Sequence, residues 1–113
     1  MTLKGGVHGF GNVGQSMTRA INRENRFGED ARIVAVCNRG KEKRDLAERE
    51  YGLKAYERLD DLLAQGLDFL LILSQSHVHK DVALKCVQAR VPYLIEKPIA
   101  LTVADALQIV QAT

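Results

Sequence analysis

Apolar residues in this 113-residue chain alternate between short, near-continuous runs and stretches with one apolar face at helical spacing. The opening "VHGFGNVGQSMTRAINRENR" passes from a short apolar stretch through a glycine-rich turn into a helix, with Val13, Met17, Ala20 and Ile21 expected on one face. "ARIVAVCN" (Ala31 to Asn38) is β-branched and almost unbroken, as a parallel strand buried on both faces should be. Charged "KEKRDLAEREYG" reads as a helix stopped by Gly52. "LKAYE" follows as a weak edge strand, and "RLDDLLAQG" as a short helix ended by Gly66. "LDFLLILS" (Leu67 to Ser74) is the most hydrophobic run and predicts a central strand. Val78, Val82 and Cys86 then recur on helical spacing, and "VPYLIE" gives a fifth strand over Val91 to Ile95. Thr102 and Asp105 resemble a capping box that opens a last helix.

Strands alternating with helices over the whole length predict an α/β fold with right-handed crossovers. The expected architecture is a doubly wound parallel sheet in the order 3-2-1-4-5, a three-layer α/β/α Rossmann domain over residues 1–113. The first strand is unusual: "LKGGVH" puts Gly5 and Gly6 where bulky side chains are expected, which predicts thin packing. His8 is read there as a satisfied core or strand-end histidine.

Composition narrows the classes. Hydrophobic residues at 46% and charged residues at 27% are globular proportions and exclude a disordered or fibrous chain. A net charge of +2 gives no reason to expect a nucleic-acid or membrane partner. Cys37 and Cys86 form no C-x-x-C pair and are expected to be reduced packing residues. With no secretory leader and no membrane-length apolar run, the expected location is the cytoplasm.

Gly9, Gly11 and Gly14 form G-x-G-x-x-G as "GFGNVG", enclosing Phe10, Asn12 and Val13, between a strand and a helix. In that context the first glycine permits a tight turn, the second lets backbone approach a pyrophosphate, and the third lets helix and strand pack closely. The helix N-terminus adds free N–H groups for the phosphates. A second strand that serves NAD usually ends in Asp or Glu, but this one ends in Asn38, 24 residues past the third glycine, followed by Arg39. An uncharged Asn with Arg39, Lys41, Lys43 and Arg44 nearby favours NADP over NAD, since a 2′-phosphate would find charge-assisted contacts. The competing reading of that basic run is a solvated first helical turn.

Ligands of open α/β sheets bind outside the carboxyl ends of strands, where Ser74, Gln75, Ser76, His77 and His79 fall. For His79 a helix-start structural role and a cofactor contact both stand. The two histidines lie two apart with no Cys, Asp or Glu at ligand spacing, so no metal site is expected. Glu96 and Lys97 follow the fifth strand at the same edge. From there Lys97 could serve as a general base near a cofactor's reactive end, its pKa lowered by partial burial, or be a surface lysine paired with Glu96. The isomer of the Lys97–Pro98 bond is left undecided by sequence.

"GFGNVG", "AVCNR", the strand-end serines before "HVH" and "EKPIALT", in that order and spacing, resemble the N-terminal domain of the Gfo/Idh/MocA oxidoreductases across essentially the whole chain. The resemblance implies hydride transfer between a nicotinamide cofactor and a hydroxyl or carbonyl, often of a sugar or cyclitol. It makes Lys97 catalytic and sets Glu96 by the nicotinamide ribose. Ser74, Gln75 and Ser76 stand where the family often has Thr-Pro-Asn, and Gly5 and His8 depart from its apolar first strand. Members also carry a second domain that holds the small-molecule substrate. The chain is therefore expected to be a fragment lacking that C-terminal substrate domain, inactive alone, or to form a homo-oligomer through the exposed edge of strand 91–95. A stand-alone nucleotide sensor, or an interaction module without catalysis, is the reading from a different class.

Overall fold

The computed structural model describes residues 2–26 and 28–113. Five parallel strands form one sheet in the order β3-β2-β1-β4-β5. They are β1 (Leu3–His8), β2 (Ala31–Cys37), β3 (Lys54–Tyr56), β4 (Phe69–Ile72) and β5 (Tyr93–Ile95). The helices are α1 (Asn12–Asn22), α2 (Lys41–Tyr51), α3 (Leu59–Leu63), α4 (His79–Ala89) and α5 (Val103–Ala112), with a 3-10 turn at Ser76–Val78 before α4. The predicted order and parallel pairing are observed. β4 is shorter than its apolar run at both ends and β5 at its start.

Each face of the sheet has its own apolar cluster. α1 and α2 close one around Val7, Phe10, Ile21, Val36 and Leu71. α3, α4 and α5 close the other around Leu62, Leu70, Ile72, Val82, Cys86 and Ile109. β4 alternates cleanly between them, Leu70 and Ile72 to one side and Leu71 to the other. β2 manages the same only through an irregularity. Gly5 pairs with Ile33 but Gly6 with Ala35, so Val34 is the extra residue and is 36% exposed.

Two local expectations are corrected. The packing face of α1 runs through Gly14, Thr18 and Ile21, and Val13 is 46% exposed. Gly14 faces the sheet, which turns its neighbour Val13 outward. The glycines of β1 do not leave thin packing either. A Cβ on Gly5 would lie 2.1 Å from the Phe69 ring, and one on Gly6 would lie 2.5 Å from Leu67. Large side chains of the β4 segment fill the space the glycines vacate.

Helix ends follow their predicted chemistry. Gly52 closes α2 in the left-handed conformation with φ 66°, where a side chain would be strained. At α5 the Asp105 N–H donates to Thr102 Oγ1 over 3.1 Å, the forward half of a capping box. The Asp105 carboxylate instead meets Lys80 at 3.5 Å, which ties α5 to α4.

Candidate functional site

The carboxyl ends of β1, β2, β4 and β5 converge on one edge of the sheet. Gly9 follows β1 with φ 93°, and its N–H donates to the Cys37 carbonyl over 2.8 Å. A Cβ there would sit 2.7 Å from Ser74 Cα, so glycine is required both by conformation and by the nearness of β4's exit. Gly14 meets the same limit, since its Cβ would lie 2.3 Å from the Gly9 carbonyl oxygen. Around Gly11 nothing lies within 4 Å of a Cβ. Gly9 and Gly14 are therefore glycines for the protein's own packing, and Gly11 faces free space above the first turn of α1. That turn is exposed at Asn12 and Val13, and its leading N–H groups have no partners within the helix.

Phe10 holds the turn down. Its ring is fully buried and meets Tyr51 of α2 edge-on, with centroids 5.0 Å apart. Its N–H donates to Asn38 Oδ1 over 2.9 Å, while Asn38 Nδ2 donates to the Gly40 carbonyl over 3.3 Å. Asn38 thus joins the end of β2 to the glycine turn on one side and to the start of α2 on the other. Arg44 completes the corner by donating through one nitrogen to the carbonyls of Asn38 (3.0 Å) and Arg39 (2.6 Å). The sequence marked Arg44 only as one of a basic run. Its spacing of six and five residues from those carbonyls, one turn into α2, is the signal that reveals its role.

The basic run divides by function. Lys41 pairs with Asp45 at 2.9 Å, and that contact holds the Asp45 carboxyl below its usual range. Arg44 is committed to backbone. Arg39 is exposed, with no side-chain hydrogen bond or ion pair among the described residues.

Beyond β4, Ser74 is half-buried and Gln75 exposed, with Ser76 half-buried at the start of the 3-10 turn. Ser74 Oγ lies 2.7 Å from His8 Nδ1, which bears out the reading of His8 as a satisfied strand-end histidine. Burial, reinforced by neighbouring His79, pushes the His8 pKa down to about 4. His79 is 1% exposed, with Nε2 2.9 Å from the Ser74 carbonyl oxygen and Nδ1 2.9 Å from that of Pro98. Its ring is turned inward with both nitrogens against backbone carbonyls, as the helix-start structural reading expects. His77 is exposed.

The Glu96 N–H donates to the Ile72 carbonyl over 3.0 Å, carrying the β4–β5 ladder one residue further. Lys97 is exposed, and its bond to Pro98 is cis. Among the described residues no ion pair joins it to Glu96. The partial burial expected of a general base is not supplied by this chain's own atoms. No group of three or more His, Cys, Asp or Glu among the described residues is arranged to hold a metal. Cys37 and Cys86 are buried and unpaired, and burial pushes both thiols up to about 11.

A strand-turn-helix with one glycine open to space, beside a polar rim at the carboxyl ends of the strands, is a dinucleotide cradle. The family model described as "Oxidoreductase family, NAD-binding Rossmann fold" (GFO_IDH_MocA) matches residues 3–113. The chain belongs to this family. It is 34% identical over 113 residues to inositol 2-dehydrogenase 1 of Saccharopolyspora erythraea, covering 97% of this chain and 33% of that protein. It is 31% identical to the inositol 2-dehydrogenase of Paracoccus denitrificans, covering 99% and 33%. The WlbA dehydrogenase of Bordetella pertussis, solved with NADH and UDP-GlcNAcA, superposes with a TM-score of 0.91 at 29% identity, over 99% of this chain and 34% of that one. Scyllo-inositol dehydrogenase of Lactobacillus casei, at 24% identity and a TM-score of 0.90, shares the fold over 99% of this chain and 33% of its own. The chain thus spans about a third of the length of these relatives.

The glycine turn fits the family's cofactor on the structure's own terms, since the only one of its three glycines without a neighbour is the one a pyrophosphate would approach. A groove of about 440 Å³ between α4, β5 and the end of α5, lined by Arg90, Val91, Tyr93 and Thr113, lies at the opposite edge of the sheet and is separate from this site.

Proposed function

We propose that residues 1–113 form the cofactor-binding domain of an oxidoreductase that moves a hydride to or from a hydroxyl or carbonyl of a cyclitol- or sugar-like substrate. The observation that carries this reading is the open Gly11 between two sterically required glycines, in a chain of this family. The nicotinamide cofactor, when bound, supplies the hydride chemistry. The protein's part is to receive the pyrophosphate on the Gly11 to Gly14 backbone and to present Ser74, Gln75, Ser76 and Glu96 along its further length. Lys97 is the catalytic residue of this reading. Among the described residues its ammonium has no partner to compete with a substrate oxygen, to which it would donate a hydrogen bond and with which it would exchange a proton.

NADP is the preferred cofactor. This finer reading is supported by the uncharged Asn38, whose amide is occupied with the glycine turn, and by the exposed Arg39 beside it. The substrate, held by a part of the enzyme outside these residues, would complete the burial of Lys97. The free edge of β5, with Leu94 58% exposed, supports a homo-oligomer. The two unpaired buried cysteines suit the cytoplasm. Among the described residues no helix is long and apolar enough to cross a membrane.

Calorimetric titration of the chain with NADPH and with NADH tests the proposal, repeated on Arg39→Ala. Tighter NADPH binding that Arg39→Ala removes supports it. Equal affinities reject the NADP preference, and a folded chain that binds neither rejects the cofactor role.

A further inference from the structure

The segment that carries Lys97 packs against the core through Ala100 but is held by few hydrogen bonds. Glu96 is held by its N–H to β4, and regular structure resumes at the Thr102 cap. Among the described residues, the five from Lys97 to Leu101 receive one hydrogen-bond contact, that between His79 Nδ1 and the Pro98 carbonyl oxygen at 2.9 Å. The other end of the same ring lies 2.9 Å from the Ser74 carbonyl at the exit of β4. His79 is 1% exposed and fixed in the first turn of α4, so the ring is a rigid strut between two strand exits.

Both carbonyls are acceptors. A neutral imidazole donates through one nitrogen and turns a lone pair from the other, whereas the doubly protonated ring donates from both, so the protons on the ring decide which carbonyl is held. Nδ1–H holds Pro98. With Nε2–H alone, a lone pair would face the Pro98 oxygen and the segment would lose its tether.

We propose that His79 is a positioning residue for Lys97, which donates from Nδ1–H to the Pro98 carbonyl and so fixes where the lysine leaves the sheet. The inference rests on the catalytic role proposed above for Lys97, but it concerns placement alone. Buried at the root of the site, His79 touches neither cofactor nor substrate in this reading.

Side-chain geometry gives a test that a general packing role would not pass. The amide nitrogen of asparagine stands near the place of histidine Nδ1, and that of glutamine near Nε2. His79→Asn should therefore keep the tether, His79→Gln should lose it, and His79→Phe should fill the volume with no donor. In ¹⁵N-labelled chain, the amide signals of Lys97, Ile99 and Ala100 should shift and broaden in His79→Phe and His79→Gln. Those of Gly9 to Gly14 should stay in place, and His79→Asn should restore the first set. Lys97-segment signals unchanged in His79→Phe, or no difference between the Asn and Gln variants, would overturn the proposal. Should the variants fail to fold, the ring nitrogens of the unaltered chain decide it: a protonated Nδ1 is expected, and an unprotonated Nδ1 refutes the tether. Because these signals read position and not turnover, a Lys97 that proves dispensable for hydride transfer leaves this result standing. A slack segment in a chain that binds cofactor normally refutes the tether alone.

Discussion

The N–H of Phe10 donates to the side-chain oxygen of Asn38 over 2.9 Å, so the middle of the glycine turn hangs from the residue that ends β2. One side chain therefore shapes the glycine turn and, on the proposed reading, stands where the adenosine ribose would be read. Asn38→Asp should separate these duties. It keeps the acceptor for Phe10 and the turn with it, but places a carboxylate where a 2′-phosphate would lie. Titration should show NADPH binding weakened by on the order of tenfold or more and NADH binding retained. Asn38→Ala should instead weaken both cofactors and lower stability by about 1 kcal/mol through the lost hydrogen bond.

Gly11 and Gly14 should fail differently when changed to alanine. At Gly11 a methyl group meets nothing, and φ of −79° suits any residue, so Gly11→Ala should unfold within roughly 0.5 kcal/mol of the unaltered chain while losing cofactor affinity. At Gly14 the methyl would press on the Gly9 carbonyl, so Gly14→Ala should lose about 1–3 kcal/mol as well. Denaturant midpoints and calorimetry on the same preparations distinguish the two.

His8 should make stability depend on pH. Its ring titrates near 6.5 in the unfolded chain and near 4 in the folded one. Between those values the unfolded chain binds the additional proton, so unfolding is favoured as pH falls from 6.5 to 4, and the contribution is whole above 6.5. The loss is on the order of 3 kcal/mol across the window. Urea unfolding at pH 7 and pH 4.5 should show it, and His8→Val should flatten that part of the slope.

Gly5→Ala should cost about 1–3 kcal/mol, because its methyl would enter the Phe69 ring. Trimming the ring should relieve the clash. In the double variant with Phe69→Leu, the two losses should add to less than their sum, which a double-mutant cycle on thermal unfolding measures.

The strand order and the glycine turn were legible because both rest on local signals, apolar period in one case and glycine spacing in the other. β1 shows where such signals fail. Two adjacent glycines read as weakness, yet they answer Phe69 and Leu67, residues more than sixty positions away. The exposure of Val13 was missed for a related reason, since the inward face of α1 is set by the close approach of Gly14 and not by hydrophobicity. Asn38 and Arg39 read in the sequence as a pair at the expected ribose position. The bond from Asn38 to Phe10 was not legible, because nothing local tells whether a strand-end amide turns toward ligand or protein. For His79 the sequence lacks the direction of the ring, which in the fold turns toward two backbone carbonyls.

The two ends of the site rest on different halves of the core. Phe10, at the centre of the glycine turn, is rooted in the cluster under α1 and α2, whereas Ile95 and Ala100, on either side of Lys97, lean on the cluster under α3, α4 and α5. The sheet lies between them as a partition. On the proposed reading, substitutions beneath one face would retune how tightly the nucleotide is grasped, and those beneath the other would retune how the lysine is aimed, so that affinity and chemistry would be open to separate adjustment within a single small domain.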